Sequence, residues 1–318
     1  MSGENNTIVT IGDINYLWGI FMLIASARKA GMREPFLVGV KKFTPRAEKV
    51  LTQFGDVRLV PLDGLKRSLT SYKAKVMLEA STEYVTWADS DAFFTGDVSS
   101  MLPPDSPDGI HFRMRGDTEF PGHCWKKWYP DSMKRVPAEV LEVWREDVRQ
   151  VAGEALAESR TVNTGTACFF SLSLARHRRF LEIWDALQDK VLPEKDVGVV
   201  DNSLRIYPQL DESTLNACLD FLPAAPKVQE LFKLDKQPGR MFIHFIMHPK
   251  PWVGWTKRAF RFFDEYTSVV KWAADNGYEL PGPVPPCLDA ANKRKCRILI
   301  PWTTFSSKVK RRLARMFK

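Results

Sequence analysis

Two aspartates separated by one residue, Asp89 and Asp91, directly follow a short apolar run, YVTWA, at residues 84–88. Two carboxylates spaced in this way can bind a hard divalent cation such as Mg²⁺ or Mn²⁺ from one side, which leaves coordination positions for phosphate oxygens. The alternative is a pair of solvated carboxylates in a surface loop, because the Asp-x-Asp pattern alone has little specificity. Metal binding therefore needs support from a second part of the chain.

The second part is the segment HFIMHPKPW, which runs from His244 to Trp252. A histidine opens it, and Lys250 follows six residues later, directly before Pro251 and Trp252. Imidazole is a common metal ligand, and an ammonium group can stabilise negative charge on a phosphate. Taken alone, His244 is more simply explained as a core histidine and Lys250 as a solvated charge. The metal interpretation therefore depends on the motif that surrounds them.

These residues have to be positioned by elements that alternate between strands and helices. Apolar and β-branched runs predict strands at 7–11, 35–40, 57–62, 84–88, 166–172 and 241–245. Helical periodicity predicts helices at 16–30, 45–54, 71–80, 137–158, 174–190, 211–221 and 257–276. This alternation predicts an α/β fold with one mostly parallel sheet covered by helices on both faces. Ligands of such sheets bind at the carboxyl ends of strands, where Asp89 and Asp91 lie.

Composition and cysteine usage exclude several classes of protein. The chain has 318 residues, 44% hydrophobic and 26% charged, so it can bury a sizeable core and is not a disordered chain. Its five cysteines are scattered without a Cys-x-x-Cys pair, which argues against a disulfide framework or zinc site and favours reduced thiols. No signal-peptide pattern is present, and the apolar run at 17–27 has 11 residues, about half of a membrane span. We therefore expect a cytoplasmic protein.

Two further motifs join the first two: Asn-Thr-Gly at 163–165 and Asp-Glu-Ser-Thr-Leu-Asn at 211–216. With them the chain resembles the retaining glycosyltransferases of the glycogenin and lipopolysaccharide galactosyl- and glucosyltransferase family, glycosyltransferase family 8. That family has a strand-end Asp-x-Asp, an Asn-x-Gly that opens a strand, an Asp-Gln-x-x-x-Asn on a helix and a closing His-x-x-Gly-x-x-Lys-Pro-Trp. The four motifs occur here in the family's order.

The resemblance implies a GT-A fold, with one Rossmann-like sheet in a catalytic domain that covers residues 1–280. It implies transfer of a hexose from a nucleotide diphosphate sugar (UDP-Gal, UDP-Glc or UDP-GlcNAc) to a glycan or lipid-linked glycan hydroxyl, with retention of configuration. Asp89, Asp91 and His244 would hold Mn²⁺, with Mg²⁺ as the second choice. Lys250 would contact the diphosphate and stabilise the leaving nucleotide, and Ser90 would lie among the donor-binding residues.

The resemblance also assigns the nucleoside-binding region, at TIGDINY, residues 10–16. Ile11 and Asp13 would contact the base or ribose. Tyr16 would either stack on uracil or be the first core residue of its helix. Lys75 matches a basic residue near the donor, although Lys73, two residues earlier, could be the matching residue instead. Trp252 would also belong to the donor site.

The sugar of the donor would be bound by Asn163, Gly165 and Asp211, although Asn163 can instead cap a turn. Two residues depart from the family's pattern. Met247 replaces a glycine that would let the backbone approach phosphate closely. Glu212 replaces a glutamine, and a carboxylate is a normal nucleophile for glycosyl transfer. These departures keep open a GT-A glycosyltransferase of another family, including one that inverts configuration.

The acceptor side is predicted at about residues 103–160, where the strand–helix pattern is weakest. This region offers four rings with flat faces for sugar stacking: His123, Trp125, Trp128 and Tyr129. They are equally explained as a local hydrophobic cluster. The sequence names neither the acceptor nor the linkage.

The segment 281–318 is predicted as a Pro-rich linker and a basic amphipathic tail. Residues 292–318 hold ten Lys or Arg and no Asp or Glu, so the rest has 36 basic against 38 acidic residues. A helix from Ser306 or Ser307 would align Val309, Leu313 and Phe317 on one face. We expect this tail to bind the anionic inner face of the cell membrane as a peripheral anchor. A disordered tail and a nucleic-acid-binding protein are the alternatives, but no nucleic-acid partner is expected because the body lacks positive charge and a motif.

Overall fold

The computed structural model describes residues 5–64, 68–113, 125, 129, 136–153, 155–158, 166–192, 205–230, 241–246 and 248–316. The strands within these residues are β1 (Asn6–Asp13), β2 (Phe36–Lys41), β3 (Val57–Pro61), β4 (Tyr84–Ala88), β5 (Ala92–Phe94), β6 (Gly109–Arg113), β7 (Thr166–Ser173), β8 (Lys227–Glu230) and β9 (Phe242–His244). The helices are α1 (Leu17–Lys29), α2 (Pro45–Thr52), α3 (Lys73–Met77), α4 (Ala138–Ala152), α5 (Leu174–Val191), α6 (Asp211–Phe221), α7 (Phe263–Asp275) and α8 (Lys293–Met316).

Seven strands form one sheet in the order β3-β2-β1-β4-β7-β6-β8. Strand β1 pairs with β4 in parallel, as do β2 with β3 and β6 with β8, whereas β7 is antiparallel to both of its neighbours. A second sheet consists of β5 and β9, which pair antiparallel with Ala92 opposite His244. The predicted α/β fold with a mostly parallel sheet is confirmed.

The chain forms two compact units, each built from several segments. The first unit comprises Met1–Val9, Gly64–Ala88 and Ser100–Lys233, and the second comprises Thr10–Asp63, Asp89–Ser99 and Leu234–Lys318. The Asp-x-Asp motif and the His244–Trp252 segment therefore both belong to the second unit. The helix that begins with Asp211 belongs to the first.

In the first unit, a buried chain of polar side chains fixes β4. The Asn6 amide Nδ2 donates to Thr86 Oγ1 at 2.9 Å, and Thr86 Oγ1 donates to Ser171 Oγ at 3.0 Å. A buried polar group without a partner costs free energy, so these bonds favour one register across β1, β4 and β7. The end of β4, and with it the start of the Asp-x-Asp turn, is set by this register.

In the second unit, α1 is buried almost along its whole length, as its apolar sequence predicts. Ser26 Oγ donates to the Leu23 carbonyl at 2.8 Å and accepts from the Phe94 amide at 2.9 Å, which joins α1 to β5. An aromatic cluster also supports the β5–β9 ribbon. Its rings meet mostly edge to face and belong to Phe93, Phe245, Trp255 and Tyr266.

Several elements differ from those the sequence predicts. Strands β5, β6 and β8 were not predicted, and they have three, five and four residues. The tail helix α8 begins at Lys293 and continues through Pro301, so the predicted start at Ser306 is wrong. In the described part of the chain, no helix is long and apolar enough to span a bilayer.

Candidate metal and donor site

The Asp-x-Asp pair lies in a tight turn between β4 and β5. The Ala92 amide donates to the Asp89 carbonyl at 3.1 Å, which reverses the chain directly into β5. Because β5 pairs with β9, the side chain of His244 comes beside the two aspartates although it is more than 150 residues further along the sequence. Ligand atoms of Asp89, Asp91 and His244 all lie within 4.8 Å of one another.

The geometry and chemistry of these three side chains suit a divalent cation. His244 Nε2 lies 2.9 Å from Asp91 Oδ1 and 3.5 Å from Asp89 Oδ2. The side chains of Asp89, Asp91 and His244 are 23%, 12% and 10% exposed, so they are shielded but reachable. Carboxylates are the ligands that Mg²⁺ and Mn²⁺ prefer, and imidazole is a ligand for transition metals. The three predicted metal ligands are thus brought together.

Lys250 lies in the same cluster and is 5% exposed. Its ammonium Nζ contacts Asp91 Oδ2 and donates to the Phe245 carbonyl at 2.5 Å. Burial alone would raise the pKa of Asp91, but the charges and hydrogen bonds of His244 and Lys250 outweigh it and hold that pKa well below its usual range. Asp91 is therefore ionised.

Trp252 packs on the start of α1 and on the Asp-x-Asp turn. Its indole Nε1 donates to the Asn15 carbonyl at 3.2 Å, and its ring meets that of Tyr16 edge on, with centroids 5.6 Å apart. A Cβ at Gly19 would lie 2.3 Å from the Ser90 carbonyl oxygen and 2.6 Å from Cη2 of Trp252. A glycine is thus required where α1, the turn and the indole meet.

Three predicted nucleoside contacts follow one another at the end of β1. The Ile11 side chain is 6% exposed and belongs to the core, so any contact from it would come from its backbone. The Asp13 carboxylate accepts from the amide of Asn15 at 3.0 Å and caps the short 3₁₀ turn before α1. Burial raises the pKa of Tyr16, and the charges of Asp91, Asp13 and Asp89 raise it further, so its phenol stays protonated.

The first unit holds a second cluster, built on α3, β4 and α6. Lys73 is 3% exposed, and its Nζ lies 2.7 Å from Asp211 Oδ2 and 2.8 Å from the Ala167 carbonyl. The same ammonium lies 4.8 Å from the centroid of the Trp87 ring, a cation–π distance. The side chain of Lys75 is exposed. Lys73 is therefore the lysine of this helix that contacts a predicted sugar-binding residue.

Glu212 follows Asp211 in the first turn of α6 and is 8% exposed. A helix N-terminus favours negative charge, by about 0.3–1 kcal/mol at exposed sites. The residue before the helix, Leu210, has φ +49° and ψ −111°, a backbone conformation that residues other than glycine rarely adopt. Such backbone strain is common at functional sites and marks this helix start as a constrained feature.

Three residues of the predicted motifs lie outside the described residues: Asn163, Gly165 and Met247. Of the predicted acceptor rings, His123 and Trp128 also lie outside them. Trp125 is fully buried, with its ring centroid 5.9 Å from that of Trp144, so the hydrophobic-cluster interpretation describes it. The Tyr129 ring is covered by the Arg205 guanidinium at 5.1 Å.

Gly19 was not selected from the sequence, and Lys73 was named there only as the alternative to Lys75. Lys73 shares the buried face of α3 with Val76 and Met77, which are three and four residues further on. A lysine on an apolar helix face is a sign of a buried ion pair, and this spacing could have distinguished it from Lys75. Gly19 has no comparable sign, because only the folded chain shows what approaches it.

The chain has a mostly parallel sheet with one antiparallel strand. An Asp-x-Asp turn follows the fourth strand, and the β5–β9 ribbon adds a histidine to it. These features match the α/β fold called GT-A. No protein-family model and no curated protein sequence matches the chain. Solved structures do match it, at identities that show a shared fold and no more.

Glycosyltransferases are among these structures. The galactosyltransferase LgtC, solved with donor and acceptor sugar analogues, has a TM-score of 0.51 and 13% identity over 84% of this chain and 95% of its own. The bifunctional glycosyltransferase WbbM has a TM-score of 0.53 and 13% identity over 84% of this chain. This chain spans 50% of the length of WbbM. The glycosyltransferase GlyE of Streptococcus pneumoniae TIGR4 has a TM-score of 0.52 and 12% identity over 88% of this chain and 66% of its own.

Proposed function

We propose that this chain is a metal-dependent glycosyltransferase that transfers a hexose from a nucleotide diphosphate sugar to a carbohydrate or glycolipid hydroxyl. The observation that carries this proposal is the cluster of Asp89, Asp91 and His244 with the buried ammonium of Lys250 beside it. It occurs in a fold shared with three glycosyltransferases. A metal site next to a buried cation suits a substrate that carries several negative charges, as a nucleotide diphosphate does.

The residues of the second unit would bind the nucleotide. Asp89, Asp91 and His244 would hold Mn²⁺ or Mg²⁺, which when bound supplies a positive charge for the diphosphate oxygens and the leaving nucleotide. Lys250 would add a second positive charge at the diphosphate. The Tyr16 ring, the Asp13 carboxylate and the backbone at Ile11 would bind the nucleoside, which we propose to be uridine. Ser90 and Trp252 would shape this site through the packing around Gly19.

By the resemblance, Asp211, Asn163 and Gly165 would bind the donor sugar. Asp211, whose carboxylate contacts Lys73, and Asn163 would form hydrogen bonds with sugar hydroxyls. Glu212 would attack the anomeric carbon and release the nucleotide diphosphate, and the acceptor hydroxyl would then displace Glu212 from the resulting glycosyl ester. Two displacements give retention of configuration. If Glu212 only positions the substrate, the alternative of an inverting GT-A enzyme gains support.

Hydrolysis of nucleotide-sugars tests this function without knowledge of the acceptor. The purified protein is incubated with UDP-, GDP- and CDP-sugars in Mn²⁺, and released nucleotide is measured with and without excess chelator. We expect Mn²⁺-dependent release from UDP-hexoses, accompanied by binding of UDP in calorimetry. Turnover of GDP-sugars alone would contradict the uridine assignment, and an absence of binding to all three nucleotides in Mn²⁺ would contradict the function.

We further propose that 1–280 is the catalytic domain and that the tail attaches it to an anionic membrane surface on the cytoplasmic side. Helix α8 exposes apolar side chains four, three and four residues apart, which places them on one face. These residues and their exposed fractions are Ile298 64%, Trp302 70%, Phe305 63% and Val309 39%. The ten basic residues of 292–318 supply charge for anionic headgroups, at about 1 kcal/mol each near the surface.

The first turns of α8 contact other residues of the second unit, so the helix that carries the exposed apolar face is attached to the folded protein. Lys293 Nζ contacts Asp264 Oδ2, and Cys296 is 8% exposed, with its thiol 3.7 Å from the Pro286 carbonyl. A lipid-bound helix attached in this way would hold the second unit close to the membrane, which would suit a lipid-linked acceptor.

Vesicle co-sedimentation tests the tail. Replacing Trp302 and Phe305 by Ser is expected to reduce binding to anionic vesicles at low salt by about tenfold or more, because burial of each large apolar side chain contributes about 1.5–3 kcal/mol. Val284→Ser, which removes an apolar side chain that is 38% exposed outside α8, is the control and should bind as the wild type does. Equal binding of all three proteins, or no effect of anionic lipid, would contradict the membrane role.

A further inference from the structure

Both carboxylate oxygens of Asp91 face a nitrogen in this structure. Oδ1 lies 2.9 Å from His244 Nε2, and Oδ2 contacts the ammonium of Lys250. Asp91 is 12% exposed on its side chain and Lys250 6%, so both groups lie in a shielded place. A cation that binds Asp91 together with Asp89 and His244 therefore enters a site where the carboxylate already has a positively charged partner.

We propose that Lys250 is an internal competitor of the divalent cation for Asp91, and that it moves from Asp91 toward the donor diphosphate when the metal binds. This inference rests on the proposed function and concerns the regulation of the same site. It makes Lys250 a mobile charge that occupies two positions in turn. The ion pair seen here is the first of them.

Charge at the site supports the competition. Asp89 and Asp91 contribute two negative charges, and Lys250 cancels one of them while it contacts Asp91. Two positive ions that share one carboxylate repel each other strongly in a shielded place, because the effective dielectric there is lower than in water. Metal binding is therefore favoured by departure of the lysine and weakened by its presence.

Because Lys250 is buried, its ammonium group requires a new negatively charged partner once it leaves Asp91. The Lys250 side chain is only 6% exposed, and its other partner is the uncharged carbonyl of Phe245, at 2.5 Å. A buried ammonium without a negative partner is costly, so an incoming diphosphate would restore the lost ion pair. Metal and nucleotide are consequently expected to bind cooperatively, through Lys250 as well as through direct contact between metal and phosphate.

A static structural role for Lys250 makes the opposite prediction. If the lysine served only to hold the HFIMHPKPW segment on the Asp-x-Asp turn, its removal would loosen the three metal ligands. The affinity for the metal would then fall. The sign of the change in metal affinity therefore separates the two roles.

The test is calorimetric titration of Mn²⁺ into the full-length protein without nucleotide. Lys250→Met and Lys250→Gln remove the charge, and each is expected to bind Mn²⁺ about tenfold more tightly than the wild type or better. Lys250→Arg keeps the charge and should bind no more tightly than the wild type. Lys257→Met removes an exposed lysine seven residues further on and controls for net charge. Thermal melting of each variant establishes that it is folded.

The same titration with UDP present completes the experiment. In the wild type, Mn²⁺ is expected to strengthen UDP binding by a larger factor than in Lys250→Met. Unchanged or weaker Mn²⁺ binding by the neutral variants would overturn the competition but leave the metal site in place. If neither the wild type nor these variants bind Mn²⁺, the metal site itself and the proposed function fail.

Discussion

Changing Asp91 to Asn is expected to lower metal-dependent turnover of the nucleotide-sugar by about a thousandfold. A bound metal contributes several kcal/mol of charge stabilisation, and each 1.36 kcal/mol is a factor of ten in rate. Asp91 contacts both His244 and Lys250, so it links the proposed metal ligands to the lysine that we propose to bind the diphosphate. Loss of the Asp91 charge therefore weakens the contacts with both His244 and Lys250.

The fold should survive this substitution, because Asn keeps the shape and one acceptor oxygen of Asp91. We expect a loss of about 1–3 kcal/mol in the free energy of unfolding, from the weakened bonds to His244 and Lys250. Asp89→Asn should have a smaller effect on stability, because Asp89 Oδ2 lies 3.5 Å from His244 Nε2, a longer contact than the 2.9 Å of Asp91.

The measurement is nucleotide release at several Mn²⁺ concentrations, with calorimetry of Mn²⁺ binding on the same samples. Asp275→Asn is the matched control, since this carboxylate is 56% exposed and forms an ordinary surface ion pair with Lys271. It should behave as the wild type does. Full activity of the wild type in excess chelator would refute the metal assignment, whatever Asp91→Asn does.

The fold could be predicted from the sequence because its long elements have clear periodicity. The strand at 84–88 was predicted with its observed bounds, and helix α6 likewise at 211–221. Strand β5, by contrast, has three residues, and its pairing with β9 is a long-range contact that no local pattern contains. The start of α8 was predicted too late, at Ser306 or Ser307, whereas the helix begins at Lys293 and continues through Pro301.

The candidate site could be predicted in part, because its motifs are local but its contacts are not. Asp89, Asp91 and His244 were grouped through motifs, and the structure brings them together. The contact of Lys250 with Asp91 depends on the β5–β9 pairing, and that of Lys73 with Asp211 on the packing of separate helices. Neither ion pair could be predicted from the spacing of residues, because the two residues of each pair are more than 130 positions apart in sequence.

Changing Glu212 to Gln is expected to reduce kcat on the order of a thousandfold if Glu212 is the nucleophile, since an amide is a poor nucleophile. Asp211 is the weaker candidate for this role, because its carboxylate is held by Lys73 at 2.7 Å. Glu212 lies one residue further on in the same first turn, at the positive end of the helix dipole. The substitution preserves the size of the side chain, so binding of UDP in Mn²⁺ should change little.

Two measurements decide between a nucleophile and a positioning group. Steady-state kinetics give kcat for the wild type, for Glu212→Gln and for Glu48→Gln, a control that removes an exposed carboxylate from the first turn of α2. Intact-protein mass spectrometry after incubation with donor should detect a hexosyl ester on the wild type that Glu212→Gln lacks. Retention of wild-type kcat by Glu212→Gln would show that no covalent step passes through this residue. An inverted anomeric configuration in the product would exclude the two-step displacement as well, because two displacements at one carbon must restore the configuration of the donor.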